Sequence, residues 1–318
     1  MQRFPILALV LAPALAAGAD SSAQVPPPAK TTGSVSVGYV MVPFVLTDLK
    51  GKPVPNLKEK DVTLLVDGQP VKTDLFSKSE DAPVSFTILL DGSGSMGLVG
   101  KLDAARAAVR ALVQQKLPGD DFSLYVFSAG AVREEVPFTS DTARLLAAMD
   151  AVRPHGRTAF YDALARMPDR TLLGTNGSRA ILLLTDGIDN ASELTRDDLA
   201  VLLEGLDVPV YPIGLRSPGS PVTPPPGVTP EAFMNLEILG HVARLSGGLL
   251  SIADEAAQLP AAIARVQKDL RTQYLVGFTP TGAGPIRYRR ISLRLSGPPR
   301  PVRVRAGYRG TLPPFKGG

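Results

Sequence analysis

The sequence predicts an α/β protein: a doubly wound, mostly parallel six-stranded sheet, with a β module formed by the N- and C-terminal flanks. Three observations predict it. Residues 84–90, VSFTILL, are a run of apolar and small β-prone residues without charge, as a strand covered on both faces requires. Runs of that kind then alternate with segments of helical period up to residue 271. On either side, in 34–82 and 273–310, short strand-like stretches are separated by turn residues.

In chain order, residues 1–23 read as an export signal. Arg3 gives the positive start, 4–15 the apolar stretch, and small residues follow with cleavage positions after Ala16, Ala19 or Ala23. About a dozen apolar residues interrupted by Pro5 and Pro13 fall short of the ~20 that span a bilayer. The expectation is a periplasmic or extracellular protein without a transmembrane segment in the mature chain. Residues 24–33, rich in Pro, Ala and Thr, read as a linker and 311–318 as a tail. In the first β segment, 39–47 and 62–66 are strands, and Asp67-Gly68 is a hairpin turn into a strand at 71–76.

The α/β domain is expected over 83–272. Leu98, Leu102, Ala105, Val109 and Leu112 mark its first helix by their spacing, and 122–127 and 132–138 are its next strands, the latter an edge. Helices are expected at 141–149, 160–173, 196–203, 231–245 and 255–271, with strands at 180–184, 208–213 and 249–252. The segments 286–295 and 302–305 alternate Arg with apolar residues, as strands with a solvated face do. In such a fold the domain's first strand begins and its last helix ends on one side. The segments 34–82 and 273–310 are therefore expected to pair into one module with the α/β domain inserted between them.

Composition narrows the chemistry. The 318 residues contain no cysteine and two histidines, His155 and His241. Disulfides, thiolate nucleophiles, Cys-based zinc sites and iron–sulfur clusters are excluded, so any metal is held mainly by oxygen. The net charge of +4 is uneven. From Leu270 onward there is no Asp or Glu and ten Lys or Arg, which leaves 4 − 10 = −6 for the rest. The basic end invites contact with nucleic acid, or weak contact with anionic envelope surfaces. Its alternation with apolar residues and its few aromatics fit a solvated strand face better than a nucleic-acid platform.

Ligands in open α/β sheets bind at the carboxyl ends of the strands. There the first strand runs into Asp91-Gly92-Ser93-Gly94-Ser95-Met96, and the fourth into Thr185-Asp186-Gly187. The loop before the third helix reads Gly156-Arg157-Thr158-Ala159-Phe160-Tyr161-Asp162. Two carboxylates and three hydroxyls from three loops suit one hard divalent cation, Mg2+ first, with Mn2+ or Ca2+ as alternatives. Neutral hydroxyls leave such an ion under-neutralised and open to an outside carboxylate.

The segments DGSGS, GRTAFYDAL and LLLTDGIDN resemble the three parts of the metal-ion-dependent adhesion site of the von Willebrand factor type A family. The resemblance implies that Asp91, Ser93, Ser95, Thr158 and Asp186 hold Mg2+ or Mn2+. It also implies a Rossmann-like fold and coupling of ligand binding to movement of the last helix, 255–271. The upstream LTDLKGKPVPNLKEKDVTLLVDGQPVKTDLF is similar to the leader of a bacterial, acidobacterial-type subgroup of exported proteins carrying this domain.

Other readings meet obstacles in the residues. Gly92 to Gly97 spells GxGxxG, but Asp91 would repel a dinucleotide pyrophosphate and the second strand ends in Val126-Phe127-Ser128 without a ribose-binding acid. Ser95, Asp186 and His241 follow the chain order of an α/β-hydrolase triad, but no G-x-S-x-G surrounds either serine and His241 falls within a helix. His155 stands at the site rim or is a solvated loop residue. The Pro-rich 217–230 is either an insertion or a loop that contacts or shields a partner. The resulting expectation is an exported, non-enzymatic binding module whose metal takes an Asp or Glu of a protein partner. The alternative is an exported accessory or chaperone-like subunit of an envelope complex, whose association would not depend on metal.

Overall fold

The computed structural model describes residues 23–24, 39–79, 82–98, 100–217, 236–280 and 285–315. The export signal, most of the linker, the Pro-rich loop beyond Ser217 and the end of the tail lie outside them.

The chain forms β1 (Ala23–Gln24), β2 (Val40–Leu46), β3 (Val62–Val66), β4 (Gln69–Pro70), β5 (Leu75–Lys78) and β6 (Val84–Asp91). There follow α1 (Lys101–Gln114), β7 (Asp121–Ser128), β8 (Ala131–Thr139), α2 (Thr142–Ala151), α3 (Phe160–Ala165), α4 (Met167–Thr171), β9 (Ser178–Thr185), α5 (Arg196–Leu203) and β10 (Val210–Leu215). The last elements are α6 (Leu236–Ser246), β11 (Ser251–Ala253), α7 (Leu259–Arg271), β12 (Tyr274–Phe278), β13 (Arg287–Leu295), β14 (Val302–Val304) and β15 (Gly307–Gly310).

The six expected strands form a central sheet ordered β8-β7-β6-β9-β10-β11, and β1 pairs with the outer edge of β8. All neighbours in the six are parallel except β7 and β8. Every residue of β6 and β7 is buried, which explains their mostly apolar runs, and the polar Ser123 and Thr171 hydroxyls are placed against the Thr87 hydroxyl. Their two faces feed separate layers. Ile88, Leu90, Leu124, Val126 and Leu182 pack under α1, α2 and α7, whereas Leu89, Tyr125, Phe127, Ile181 and Leu183 pack under α3, α5 and α6.

The flanks make two four-stranded sheets, β14-β2-β12-β5 and β15-β13-β3-β4, which share a core of Val42, Phe44, Leu64, Val66, Tyr274, Phe278 and Tyr308. Each sheet contains strands from both ends of the chain. The strands that lead into and out of the α/β domain are themselves paired, Lys78 opposite Tyr274, and the Ser79 N–H donates to the Gln273 carbonyl at 2.8 Å.

Several boundaries differ from the sequence reading. Leu98 is exposed and α1 begins at Lys101, so the Leu98 match to the helical period is accidental. The helix expected over 160–173 is two short helices meeting at Arg166, with Pro168 in the first turn of the second. In the last helix a 3-10 turn, Ala256–Gln258, precedes the α-helical part, whose first turn carries Pro260. The Asp67-Gly68 turn forms with φ of 49° and 83°, but in place of one strand over 71–76 the chain makes the short β4 at Gln69–Pro70, with the Val71 N–H still donating to Leu64 O at 2.9 Å. The chain then crosses to the other sheet as β5.

The solvated-face reading of the C-terminal arginines fails at Arg289 and Arg305, both 1% exposed. Arg289 donates to Asp67 Oδ2 at 3.2 Å, and Arg305 pairs with Asp207. Arg287, Arg290, Arg294, Arg300 and Arg309 remain exposed.

Candidate metal centre

Strands β6 and β9 are parallel neighbours, with Leu90 opposite Leu184, so their carboxyl ends deliver Asp91 and Asp186 to one crevice. Both carboxylates are buried, as are Ser93 and Thr158. Ser95 is half-buried. The Ser93 N–H donates to Asp91 Oδ1 at 2.9 Å and the Thr185 hydroxyl to Asp91 Oδ2 at 2.7 Å. The Ser93 and Ser95 hydroxyl oxygens lie 3.1 Å apart. The loop is therefore folded so that its carboxylate is oriented and its two hydroxyls are side by side.

Backbone bonds sew the loops together. The Gly92 N–H donates to Phe127 O at 2.9 Å, Gly94 N–H to Gly156 O at 3.0 Å, and His155 N–H to Gly92 O at 2.9 Å. Glycine is needed at two of these points. A Cβ on Gly92 would meet Val126 Cγ1 at 2.6 Å, and Gly156 has a φ of 73° with Ala129 Cβ against the place its own would occupy. Thr158 is fixed through its backbone: its N–H donates to Asn190 Oδ1 at 2.9 Å and its carbonyl accepts from Asn190 N–H at 3.0 Å.

Sequence reasoning missed a set of supporting residues. Asp189 Oδ2 accepts from the N–H groups of Phe160 at 2.8 Å and Tyr161 at 3.1 Å, and from the Ser192 hydroxyl at 2.6 Å. Asp162 returns the favour, accepting from Glu193 and Leu194 N–H at 2.9 and 3.0 Å. Asx and Ser residues after the Asp186-Gly187 turn were the available signal, since such side chains take the free N–H groups of a helix start. Lys101 was missed as well. Its ammonium lies 2.8 Å from Asp186 Oδ2.

The two acids differ in their surroundings. Burial, then the adjacent charge of Asp186, pushes the Asp91 carboxyl up to about 7, against the lowering effect of its bonds from Ser93 and Thr185. Among the described residues no three His, Asp or Glu side chains gather as a metal site of that type. The donors available here are two carboxylates and neutral hydroxyls, all hard oxygens, a set that fits Mg2+ or Mn2+.

The competing chemistries are not assembled. The His241 Nδ1 accepts from Arg244 at 2.6 Å on α6. His155 bonds the Ser128 hydroxyl through Nε2 at 3.1 Å and stays exposed. The glycines at 92–97 lead into a 3-10 turn, Gly94–Gly97, and the α-helix begins only at Lys101. A dinucleotide loop would instead open the helix directly.

Residues 86–188 match the family model for the von Willebrand factor type A domain. An uncharacterized protein of Borreliella burgdorferi is 28% identical over 148 residues, which span 43% of this chain and 42% of that protein. A von Willebrand factor type A structure from Catenulispora acidiphila is 14% identical, covers 83% of this chain and 77% of its own, and superposes with a TM-score of 0.48. An aerotolerance-related membrane protein from Bacteroides fragilis is 22% identical, covers 59% of this chain and 98% of its own, with a TM-score of 0.46. The matched stretch is the one that carries most of β6, all of β7 and β9 and the loops after them, and it is there that the chain is similar to a von Willebrand factor type A domain.

Proposed function

We propose that the protein is an exported, non-enzymatic binding module in which a divalent ion, Mg2+ first, joins Asp91, Ser93, Ser95, Thr158 and Asp186 to a carboxylate of a protein partner. The observation that carries this reading is the convergence of two buried carboxylates with two hydroxyls 3.1 Å apart at the end of the sheet. Of the two buried acids only Asp186 has a cation, Lys101, on it, and Asp91, with none, has its acidity weakened first by burial and then by Asp186. The bound ion would supply a Lewis-acidic position for an anionic oxygen. The chain's part is to hold the hydroxyls and carboxylates in place, through Thr185 on Asp91 and Asn190 on the Thr158 backbone. Export rests on the first 23 residues, and among the described residues no helix is long and apolar enough to cross a membrane.

The test is a pull-down from envelope extract with and without EDTA, together with calorimetric titration of Mg2+ and Mn2+. Wild type should take up one ion and recover its partner only without chelator. Asp91→Ala and Ser93→Ala should each lose both. Recovery that survives EDTA and both substitutions would favour an accessory subunit that docks independently of metal.

A further inference from the structure

Lys101 is in an unfavourable place for a cation. It is the first residue of the fourteen-residue helix α1, where the macrodipole is positive, and the N-cap, Gly100, offers no side chain to satisfy the free N–H groups. Its side chain is nevertheless only 13% exposed, with the ammonium on Asp186 Oδ2 at 2.8 Å, and Asp186 is 1% exposed. The cost of placing a cation at the positive end of a helix is offset by one buried anion. That anion belongs to the crevice just described.

We propose that the Lys101 ammonium is a tethered counter-ion that occupies the Asp186 side of the crevice until a divalent ion displaces it. The inference rests on the metal-binding reading above and adds to it a built-in competitor. Metal uptake becomes an exchange of one intramolecular charge for two external ones. A tethered group competes at a high effective concentration, so Na+ and K+, with the same single charge, do not displace it. A divalent ion gains about twice the attraction from Asp91 and Asp186, and the dipole of α1 favours release of the ammonium. The crevice is thereby never left with two unneutralised acids, and it discriminates by ionic charge.

Two measurements test this. Mn2+ uptake, followed by the resonance of the free ion, is compared among wild type, Lys101→Met and Lys101→Gln in the full chain. Both variants should bind Mn2+ about tenfold more tightly or better, because a unit positive charge beside the ion is gone. In wild type alone, acetylation of Lys101 read by mass spectrometry should be slow in EDTA and rise several-fold on adding Mn2+ but not Na+. Equal Mn2+ affinity in the three proteins with metal-independent acetylation would overturn the exchange and leave the metal site standing. Absence of Mn2+ uptake in all three would overturn the site and the exchange together. The acetylation readout needs no variant, so poor folding of either substitution does not shelter the idea.

Discussion

Asp91 gives the clearest consequence at the scale of one residue. Its carboxyl is raised from 3.8 to about 7 in the metal-free fold, first by burial and then by Asp186. A group whose folded value lies above its unfolded value stabilises the fold below the lower value and loses that contribution as pH rises through the upper one. In EDTA, therefore, stability should fall between about pH 4 and pH 7, by up to about 4 kcal/mol from this group. Asp91→Asn should flatten that slope in urea titrations at stepped pH. Saturating Mn2+ should reverse it in wild type, since the ion binds only the ionised acid. A wild-type slope matched by Asp91→Asn would show that Asp91 does not carry the effect. That Asp91, Ser93 and Ser95 meet the strand end carrying Asp186 was legible in the sequence, because both loops follow the carboxyl ends of buried strands of one sheet. Lys101 was not, since a lysine at a helix start reads as ordinary solvated charge until Asp186 is seen beside it.

At the scale of elements, α3 has six residues and cannot hold itself. Its first N–H groups are taken by Asp189 and Ser192, and its Asp162 holds the N–H groups of 193 and 194 in return. This reciprocal capping locks the loop carrying Thr158 to the loop carrying Asp186. Asp189→Ala removes no proposed ligand, yet it should lower Mn2+ affinity about 10–100-fold, as loss of groups that orient ligands does. It should also cost about 1–2 kcal/mol of stability, measured by chemical denaturation, for a lost cap. Unchanged affinity in a destabilised protein would separate the capping from the site. Sequence periodicity located α3 and α4 as one helix because their apolar residues stay in phase across Arg166. The break is set by Pro168, a local backbone effect that periodicity does not report. Similarly, the strand-former pattern of Val71 to Phe76 predicts one strand, whereas Val71 still bonds Leu64 beside β4 and the chain then changes sheet to form β5 at Leu75–Lys78.

For the whole molecule, the decisive feature is how the inserted domain is held by the flanks. The pairing of the two flanks followed from topology, because the entry strand and the exit helix of a parallel α/β sheet share one side. What topology could not show is the buried charge at the seam. Arg303 of β14 pairs with Asp269 of α7, and its guanidinium also reaches the carbonyl of Gly248 at 3.0 Å. Asp269 in turn accepts from the Tyr211 hydroxyl at 2.7 Å, which itself accepts from Gln273 at 3.1 Å. Nearby, Arg305 pairs with Asp207, and the Ala306 N–H donates to Leu245 O at 3.2 Å. These arginines alternate with Val and Ala in the sequence, as residues of a solvated face would, and only the seam distinguishes them. Removing the flanks takes Arg303 from Asp269 while the Tyr211 hydroxyl stays on it, and losing one side of such a pair costs up to about 3–5 kcal/mol, less where the carboxylate gains water. An isolated fragment of residues 82–272 should accordingly fold, its ends being adjacent, but melt well below the full chain in calorimetry. Asp269→Asn in that fragment should recover part of the loss, because it removes the uncompensated charge and keeps an acceptor for Tyr211. In the full chain the same substitution should destabilise, since Arg303 then loses its anion. Destabilisation of equal size in both contexts would mean that Asp269 matters only within α7, and that the β module does not fasten the last helix.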